Sequence, residues 1–205
     1  MDRERSAPRE RLIETASTLF ARHGYHAVGI ARIVEEAGVS RVALYHHFRS
    51  KEELILAVLR RKDEVARNAI MREVEKRSSD PKERLIALFD FLARWFAQTE
   101  FTGCMFLNAT AEYHELDDPI HRAASEHKRL MLDYLVRQCR NAGADDPQRL
   151  ADQIYMLFDG AIVQTHAAGR TDARVDAARA AAKALIEVSC GAAERSGETA
   201  RAAAH

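Results

Sequence analysis

The sequence contains few of the residues that interrupt helices, and it has no long apolar run. Its 205 residues include only four prolines and nine glycines. No stretch alternates β-branched and polar residues as an exposed strand does, and no apolar run approaches the roughly 20 residues that span a bilayer. We therefore expect an all-α protein that does not cross a membrane.

Cysteine is also scarce. Cys104, Cys139 and Cys190 are odd in number and widely spaced, and no CxxC or zinc-finger spacing occurs. This pattern favours reduced thiols over a disulfide framework. The N-terminal stretch "MDRERSAPRER" lacks the apolar segment of a signal peptide. We expect a cytoplasmic location.

The whole chain has no net charge, but its N-terminal and C-terminal parts carry opposite net charges. The 31 Lys and Arg residues equal the 31 Asp and Glu residues in number. Residues 1–62 hold 12 basic and 8 acidic residues, which leaves 19 basic and 23 acidic residues for the remainder. A basic front part suits an anionic partner.

Apolar residues recur at helical spacing along nearly the whole chain, and each proline stands where a helix would start. The pattern predicts helices at 8–23, 30–37, 41–48, 51–77, 81–98, 104–113, 123–141, 147–168 and 172–190. We divide the chain into a helix-turn-helix DNA-binding domain at 1–55, a helical effector-binding and dimerisation domain at 56–192, and a frayed tail at 193–205.

The stretch "GVSRVALYHHFRSKEEL" has the form of the second half of a helix-turn-helix. A wheel at about 100° per residue puts Leu44 and Phe48 on a buried face and Val42 and His46 on the opposite face. In this motif the second helix enters the DNA major groove. Arg41 can donate to guanine, and valine or alanine can contact a thymine methyl group.

The adjacent histidines of this stretch diverge by about 100°, so they do not form a pair of metal ligands on one helix face. His46 points outward, toward DNA or solvent. His47 lies near the buried boundary, where a helix-packing hydrogen bond and a DNA contact both remain open.

The segment "YHAVGIARIVEEAGVSRVALYHHFRSKEELILAV" resembles the DNA-binding domain of the TetR family of transcriptional repressors, without gaps from about Arg11 to Leu59. The resemblance implies an all-helical homodimer that binds a pseudo-palindromic operator on double-stranded DNA. It assigns DNA contacts to Ser40, Arg41, Val42, Ala43, Tyr45, His46 and His47, and a phosphate contact to Lys51. Val28-Gly29 departs from the family, which usually has Thr or Ser there. Arg32 stands where an acidic residue is common, and we expect it to add a DNA-backbone contact.

The resemblance also implies that the C-terminal domain binds a small-molecule effector and dimerises through its last two helices, here 147–168 and 172–190. The segment "GCMFLNATAEYHELDDPIH" resembles a signature found in a broad subgroup of the family. Many aromatic residues favour a largely apolar effector. The predicted effector contacts are Trp95, Phe96, Met105, Asn108, Glu112, Met131, Tyr134 and Phe158.

Two other classes of function remain open from the residues alone. The segment "EYHELDDPIHRAASEHK", with His114, His121 and His127, offers ligands for a hydrolytic metal site, but it lacks a tight two-ligand motif, and we favour an exposed loop followed by an Asp-Pro helix start. The other alternative is a DNA-binding accessory protein that responds to no ligand. We predict a ligand-responsive repressor without catalytic residues, metal or cofactor.

Overall fold

The structure is a computed structural model that describes residues 2–169 and 173–190, with side chains described from residue 7 onward. These residues form nine α-helices and no strand, which confirms the all-α prediction. The helices are α1 (Asp2–His23), α2 (Ile30–Ala37), α3 (Arg41–His47), α4 (Lys51–Arg77), α5 (Pro81–Phe96), α6 (Met105–Glu112), α7 (Pro119–Asn141), α8 (Pro147–Ala168) and α9 (Ala173–Ser189). The predicted frayed tail at 193–205 lies outside the described residues.

Two helix starts differ from the prediction by more than one residue. Pro8 lies inside α1, which begins at Asp2; because proline has no N–H, this position makes no helical hydrogen bond to the preceding turn. α7 begins at Pro119 instead of residue 123. There the Asp118 carboxylate accepts a hydrogen bond from the N–H of Ile120 at 2.7 Å, and this cap allows the earlier start.

The chain divides into two compact units. Unit 1 comprises Met1–Ala66 and Thr102–Lys128, and unit 2 comprises Arg67–Phe101 and Arg129–His205. The predicted boundary after residue 55 divides the chain by expected function, and it does not coincide with the division into these two units. It stays a prediction.

Unit 1 contains the predicted helix-turn-helix, in which α1 packs against both α2 and α3. Leu12 and Phe20 of α1, Ile33 of α2 and Leu44 of α3 are fully or almost fully buried. Apolar burial of this kind, at about 1.5–3 kcal/mol for each large side chain, is the main force that holds three short helices together. Helices as short as α2 and α3 depend on this packing because they are marginal in isolation.

Unit 2 is built on the mutual packing of α5, α8 and α9. Its core includes Leu85, Leu88, Phe89 and Leu92 of α5, Ile154 and Phe158 of α8, and Ala182 and Ile186 of α9. Cys104, Cys139 and Cys190 are buried free thiols. None of the helices within the described residues combines the length and hydropathy that a bilayer crossing requires.

Candidate nucleic-acid interface

The turn between α2 and α3 is set by one glycine and one serine. Gly38 has φ 63° and ψ 38°, a left-handed conformation that glycine adopts without steric cost, and this ends α2. The N–H of Val39 donates to the carbonyl of Val34 at 3.1 Å, which closes the turn. Ser40 then caps α3, since its Oγ accepts from the N–H of Ala43 at 3.0 Å.

Helix α3 has one buried face and one exposed face. Leu44 and Phe48 are buried, whereas Val42 is 80% exposed and Tyr45 is 50% exposed. His46 is also exposed. The wheel's division of the helix into a buried and an exposed face is therefore confirmed.

The predicted DNA contacts lie together at this exposed side of α3. Ser40, Arg41, Val42, Tyr45 and His46 are exposed, and Ala43 and His47 are half-buried. Partial desolvation, followed by the neighbouring His46 and Arg9 charges, lowers the pKa of His47, so its neutral form is favoured. The contacts with DNA themselves stay predictions.

Lys51, the predicted phosphate contact, is the first residue of α4 and is half-buried. Its Nζ donates to the carbonyl of His26 at 3.3 Å. Desolvation lowers the pKa of Lys51, while the carboxylates of Glu52 and Glu112 act in the opposite direction. The ammonium group is thus tied to the loop that precedes α2.

The two departures from the family pattern have visible structural consequences. Gly29 caps α2 without any side-chain hydrogen bond. Arg32, which we expected to contact the DNA backbone, is exposed, and its Nε lies 2.8 Å from the Glu36 carboxylate. Its guanidinium also lies 3.0 Å from Nε2 of His23. A DNA phosphate would therefore have to compete with Glu36 for this arginine.

The loop between α1 and α2 is attached to α6 through Glu112, a predicted effector contact. The N–H of Tyr25 donates to Oε1 of Glu112 at 2.8 Å, and the N–H of His26 donates to Oε2 at 2.7 Å. The structure thus gives Glu112 a partner that sequence reasoning missed. No local pattern could have found it, because the two segments are 86 and 87 residues apart and the donors are backbone groups.

The other predicted effector contacts belong to both units. Met105 and Asn108 of α6 are half-buried in unit 1. The remaining five belong to unit 2, where Trp95 is half-buried and the others are buried: Phe96, Met131, Tyr134 and Phe158. The rings of Trp95 and Phe96 both lie against Phe101, with ring centroids 5.1 Å and 4.8 Å apart.

The buried polar atoms of unit 2 without a hydrogen-bond partner among the described residues include the Tyr134 hydroxyl, Oε1 of Gln138 and Oγ1 of Thr165. Tyr134 and Gln138 are four residues apart, so they share one face of α7. Burial raises the pKa of Tyr134 to about 12, which keeps its hydroxyl protonated and available as a donor. Unpaired buried groups are costly, and a bound polar molecule is one explanation for them.

Two histidines of the candidate metal region, His121 and His127, have other partners. Nδ1 of His121 lies 2.7 Å from the carbonyl of Tyr113. Nδ1 of His127 lies 2.7 Å from the Asp63 carboxylate, and its ring stacks on Phe106 with centroids 3.6 Å apart. Over residues 2–169 and 173–190, no three His, Cys, Asp or Glu side chains are grouped so that they could hold a metal ion.

Comparison with known proteins gives a consistent family assignment. Residues 12–58 match the family model described as bacterial regulatory proteins of the tetR family, and residues 81–185 match the tetracyclin repressor-like C-terminal domain. The repressor AcnR of Corynebacterium glutamicum is 34% identical over 144 residues, which are 70% of this chain and 70% of that protein. The activator FasR of Mycolicibacterium smegmatis is 40% identical over 92 residues, or 43% of this chain.

The chain spans about half or less of the length of the first two curated relatives that it matches. It covers 50% of one relative and 42% of the other. A crystal structure of a TetR-family transcriptional regulator from Streptomyces coelicolor superposes with a TM-score of 0.85 and 30% sequence identity, covering 90% of this chain and 97% of that one. The chain belongs to the TetR family of bacterial transcriptional regulators, which act by binding DNA and are not enzymes.

Proposed function

We propose that this protein is a cytoplasmic, homodimeric repressor that binds a pseudo-palindromic operator and is released by a small-molecule effector. The observation that carries the proposal is the exposed face of α3, where Arg41, Val42 and Tyr45 project from a helix anchored by Leu44 and Phe48. A rigid short helix with an arginine, an apolar side chain and a tyrosine on its outer face fits a major groove.

The side chains of this face suit two kinds of contact with DNA. Arg41 supplies a bidentate donor for the N7 and O6 acceptors of guanine, and Val42 supplies an apolar surface for a thymine methyl group. Tyr45 and Lys51 suit the sugar and phosphate of the backbone, which position the helix without reading sequence. Base recognition therefore depends on Arg41 and Val42, and salt-dependent affinity depends on Lys51 and the α4 N-terminus.

Dimerisation through α8 and α9 is supported by apolar residues that the single chain leaves exposed. On α8, Met156, Gly160 and Val163 are exposed and lie within one helical face; Met156 is 69% exposed. On α9, Ala177, Ala181 and Ala184 are exposed at the same spacing. Small residues allow two helices to approach closely, and apolar residues exposed in a row on a helix are typical of an oligomer interface.

Effector binding is supported by the unpaired polar atoms of α7 in unit 2. The Tyr134 hydroxyl offers a donor and Oε1 of Gln138 offers an acceptor, and both are buried next to apolar side chains of the same helix, such as Met131 and Leu135. We therefore propose a largely apolar effector that carries at least one acceptor and one donor. Each such hydrogen bond gives a partner to a buried polar atom that otherwise lacks one, so it stabilises the effector-bound conformer.

Release from DNA follows if the effector prefers a conformer with a different separation of the two reading helices. Half-sites bound by a dimeric helix-turn-helix protein lie about 34–36 Å apart, one turn of B-DNA. A change of a few ångströms in that separation prevents both helices from entering successive grooves. The effector shifts the population only as far as its affinities for the two conformers differ.

Binding-site selection with the purified protein tests this proposal. We expect a short inverted repeat, bound with one dimer per site, and loss of binding on addition of a molecule that also raises the melting temperature. Selection of no sequence at all would overturn the proposal. Selection of a palindrome that no small molecule releases would favour a ligand-independent DNA-binding protein instead.

A further inference from the structure

We infer that Glu112 is a positioning residue for operator binding: its carboxylate, at the C-terminal end of α6, fixes the loop that precedes α2 and α3, the two helices of the helix-turn-helix. The inference rests on the proposed DNA-binding function and goes beyond it, because Glu112 does not itself belong to the surface that faces DNA.

Both oxygens of the Glu112 carboxylate accept a hydrogen bond from the loop. One oxygen accepts the N–H of Tyr25 at 2.8 Å and the other accepts the N–H of His26 at 2.7 Å. These distances are in the short range of charge-assisted hydrogen bonds, which are roughly twice as strong as neutral ones. Two bonds to consecutive N–H groups fix the loop in both position and orientation.

The loop contacts both ends of α6. The Tyr25 side chain is fully buried, and its hydroxyl donates to the carbonyl of Met105, the first residue of α6, at 3.0 Å. At the other end, Nε2 of His26 lies 3.0 Å from the carbonyl of Glu112 and donates to it when that nitrogen carries the proton. The ring of Tyr113 packs on His26 with centroids 4.7 Å apart. A shift of α6 therefore acts on the loop at several points at once.

The same loop also holds the predicted phosphate contact. The carbonyl of His26 accepts from Nζ of Lys51 at 3.3 Å. The N–H of His26 is bound by Glu112, so one residue connects the Glu112 carboxylate to the Lys51 ammonium through its own backbone. If Glu112 does not hold this backbone, neither the loop at the start of α2 nor the ammonium group of Lys51 is fixed in position.

Only a carboxylate satisfies this geometry. A glutamine at this position has the same size, but one of its oxygens is replaced by an NH2 group, which is a donor. That donor would face a backbone N–H, so one of the two loop N–H groups would lose its acceptor. Glu112→Gln is therefore a test that removes one bond and the charge while it keeps the volume.

The experiment compares the full-length wild type with Glu112→Gln, Glu112→Asp and, as a control, Glu115→Gln, which changes an exposed carboxylate three residues further on. Three quantities are measured: affinity for the selected operator across a series of salt concentrations, hydrogen exchange of the segment that contains the Tyr25 and His26 amides, and melting temperature. All binding is measured well below the melting temperature of each variant, so every protein in the comparison is folded.

We expect Glu112→Gln to bind the operator about tenfold more weakly, the loss of roughly one charge-assisted hydrogen bond. We also expect a shallower salt dependence, by about one phosphate contact, because Lys51 is no longer placed. Exchange of the loop amides should rise in the Gln variant while that of the Glu115→Gln control matches wild type. A purely structural role would lower the melting temperature without changing the salt dependence of the folded protein.

Unchanged operator affinity and salt dependence in Glu112→Gln would overturn the inference while the proposed function stands. If Glu112→Gln fails to fold, Glu112→Asp decides, because it keeps the charge but is one methylene too short to reach both N–H groups. Wild-type affinity for that variant overturns the inference, and weakened binding with faster loop exchange supports it. A wild-type protein that selects no operator would instead show that the proposed function fails.

Discussion

A β-carbon built on Gly24 would lie 2.8 Å from Oε1 of Glu112, closer than a β-carbon comes to an atom that is not bonded to it. Gly24 also has φ 82°, a left-handed conformation that costs a residue with a side chain about 1–2 kcal/mol. Gly24→Ala should therefore destabilise the protein by more than this strain, because it also displaces the Glu112 carboxylate from its two N–H donors. Chemical denaturation measures the free energy of unfolding.

Gly143→Ala is the matched control for this change. Gly143 has φ 75°, but a β-carbon there meets nothing within 4 Å. It should show the strain alone. Equal losses of stability in the two variants would mean that the close approach of Glu112 has no energetic consequence.

Arg41 and Lys51 should differ in the kind of DNA binding that they support. Arg41→Ala should cost about 1–3 kcal/mol of operator affinity and relax specificity at one base pair, whereas Lys51→Ala should weaken all sequences similarly and reduce the salt dependence. Titrations against the operator and its single-base variants at several salt concentrations separate the two effects. Arg140→Ala, which removes an exposed arginine of α7, controls for net charge. Wild-type behaviour of both variants would reject the docking of α3.

Replacing Gly29 by a residue with a side-chain hydroxyl should stabilise the start of α2. It caps α2 with φ −87° and ψ 157° and no side-chain bond, and a β-carbon there meets nothing within 4 Å. Gly29→Ser should stabilise the protein by a few tenths of a kcal/mol as an N-cap. It should also raise operator affinity, because a serine hydroxyl at the start of a helix can donate to a DNA phosphate. Gly29→Ala lacks the hydroxyl, and an equal gain from alanine would exclude this explanation.

Val163 should be required for dimerisation. It is 49% exposed on the outer face of α8, so a charge there would be harmless in a monomer. We expect Val163→Asp to dissociate the dimer in sedimentation analysis and to abolish cooperative operator binding. Leu116→Asp charges another exposed apolar residue, outside α8 and α9, and should leave the dimer intact. A dimeric Val163→Asp protein would place the interface elsewhere.

Tyr134→Phe should weaken the response to the effector without lowering the stability of the effector-free protein. The Tyr134 hydroxyl has no partner among the described residues, so its removal should leave the effector-free protein equally stable or more stable, by up to about 1 kcal/mol. Molecules that raise the melting temperature of the wild type should raise that of the variant less. Tyr25→Phe removes a hydroxyl that does donate, to the Met105 carbonyl, and should lose stability. Equal losses in both variants would contradict this account of α7.

The features that the sequence determined are those with a local cause. A left-handed glycine at 38 and a capping serine at 40 set the ends of two helices within a few residues of themselves. The 3.6-residue period then separated Leu44 and Phe48 from Val42 and His46, whatever else the chain contains. The all-α fold and the exposed face of α3, to which we assign the predicted DNA contacts, followed from such patterns.

The features that only the tertiary structure decided connect segments far apart in the chain. Glu112 looked like an effector contact because α6 is apolar, yet its carboxylate accepts N–H groups of Tyr25 and His26, 87 and 86 residues away. His127 pairs with Asp63, which lies 64 residues earlier and outside the polar cluster around the histidine. Periodicity tells which face of a helix is buried, but not which helix covers it. Backbone donors have no signature in the sequence, so the groups that satisfy a buried or bound carboxylate emerge only when the helices are packed.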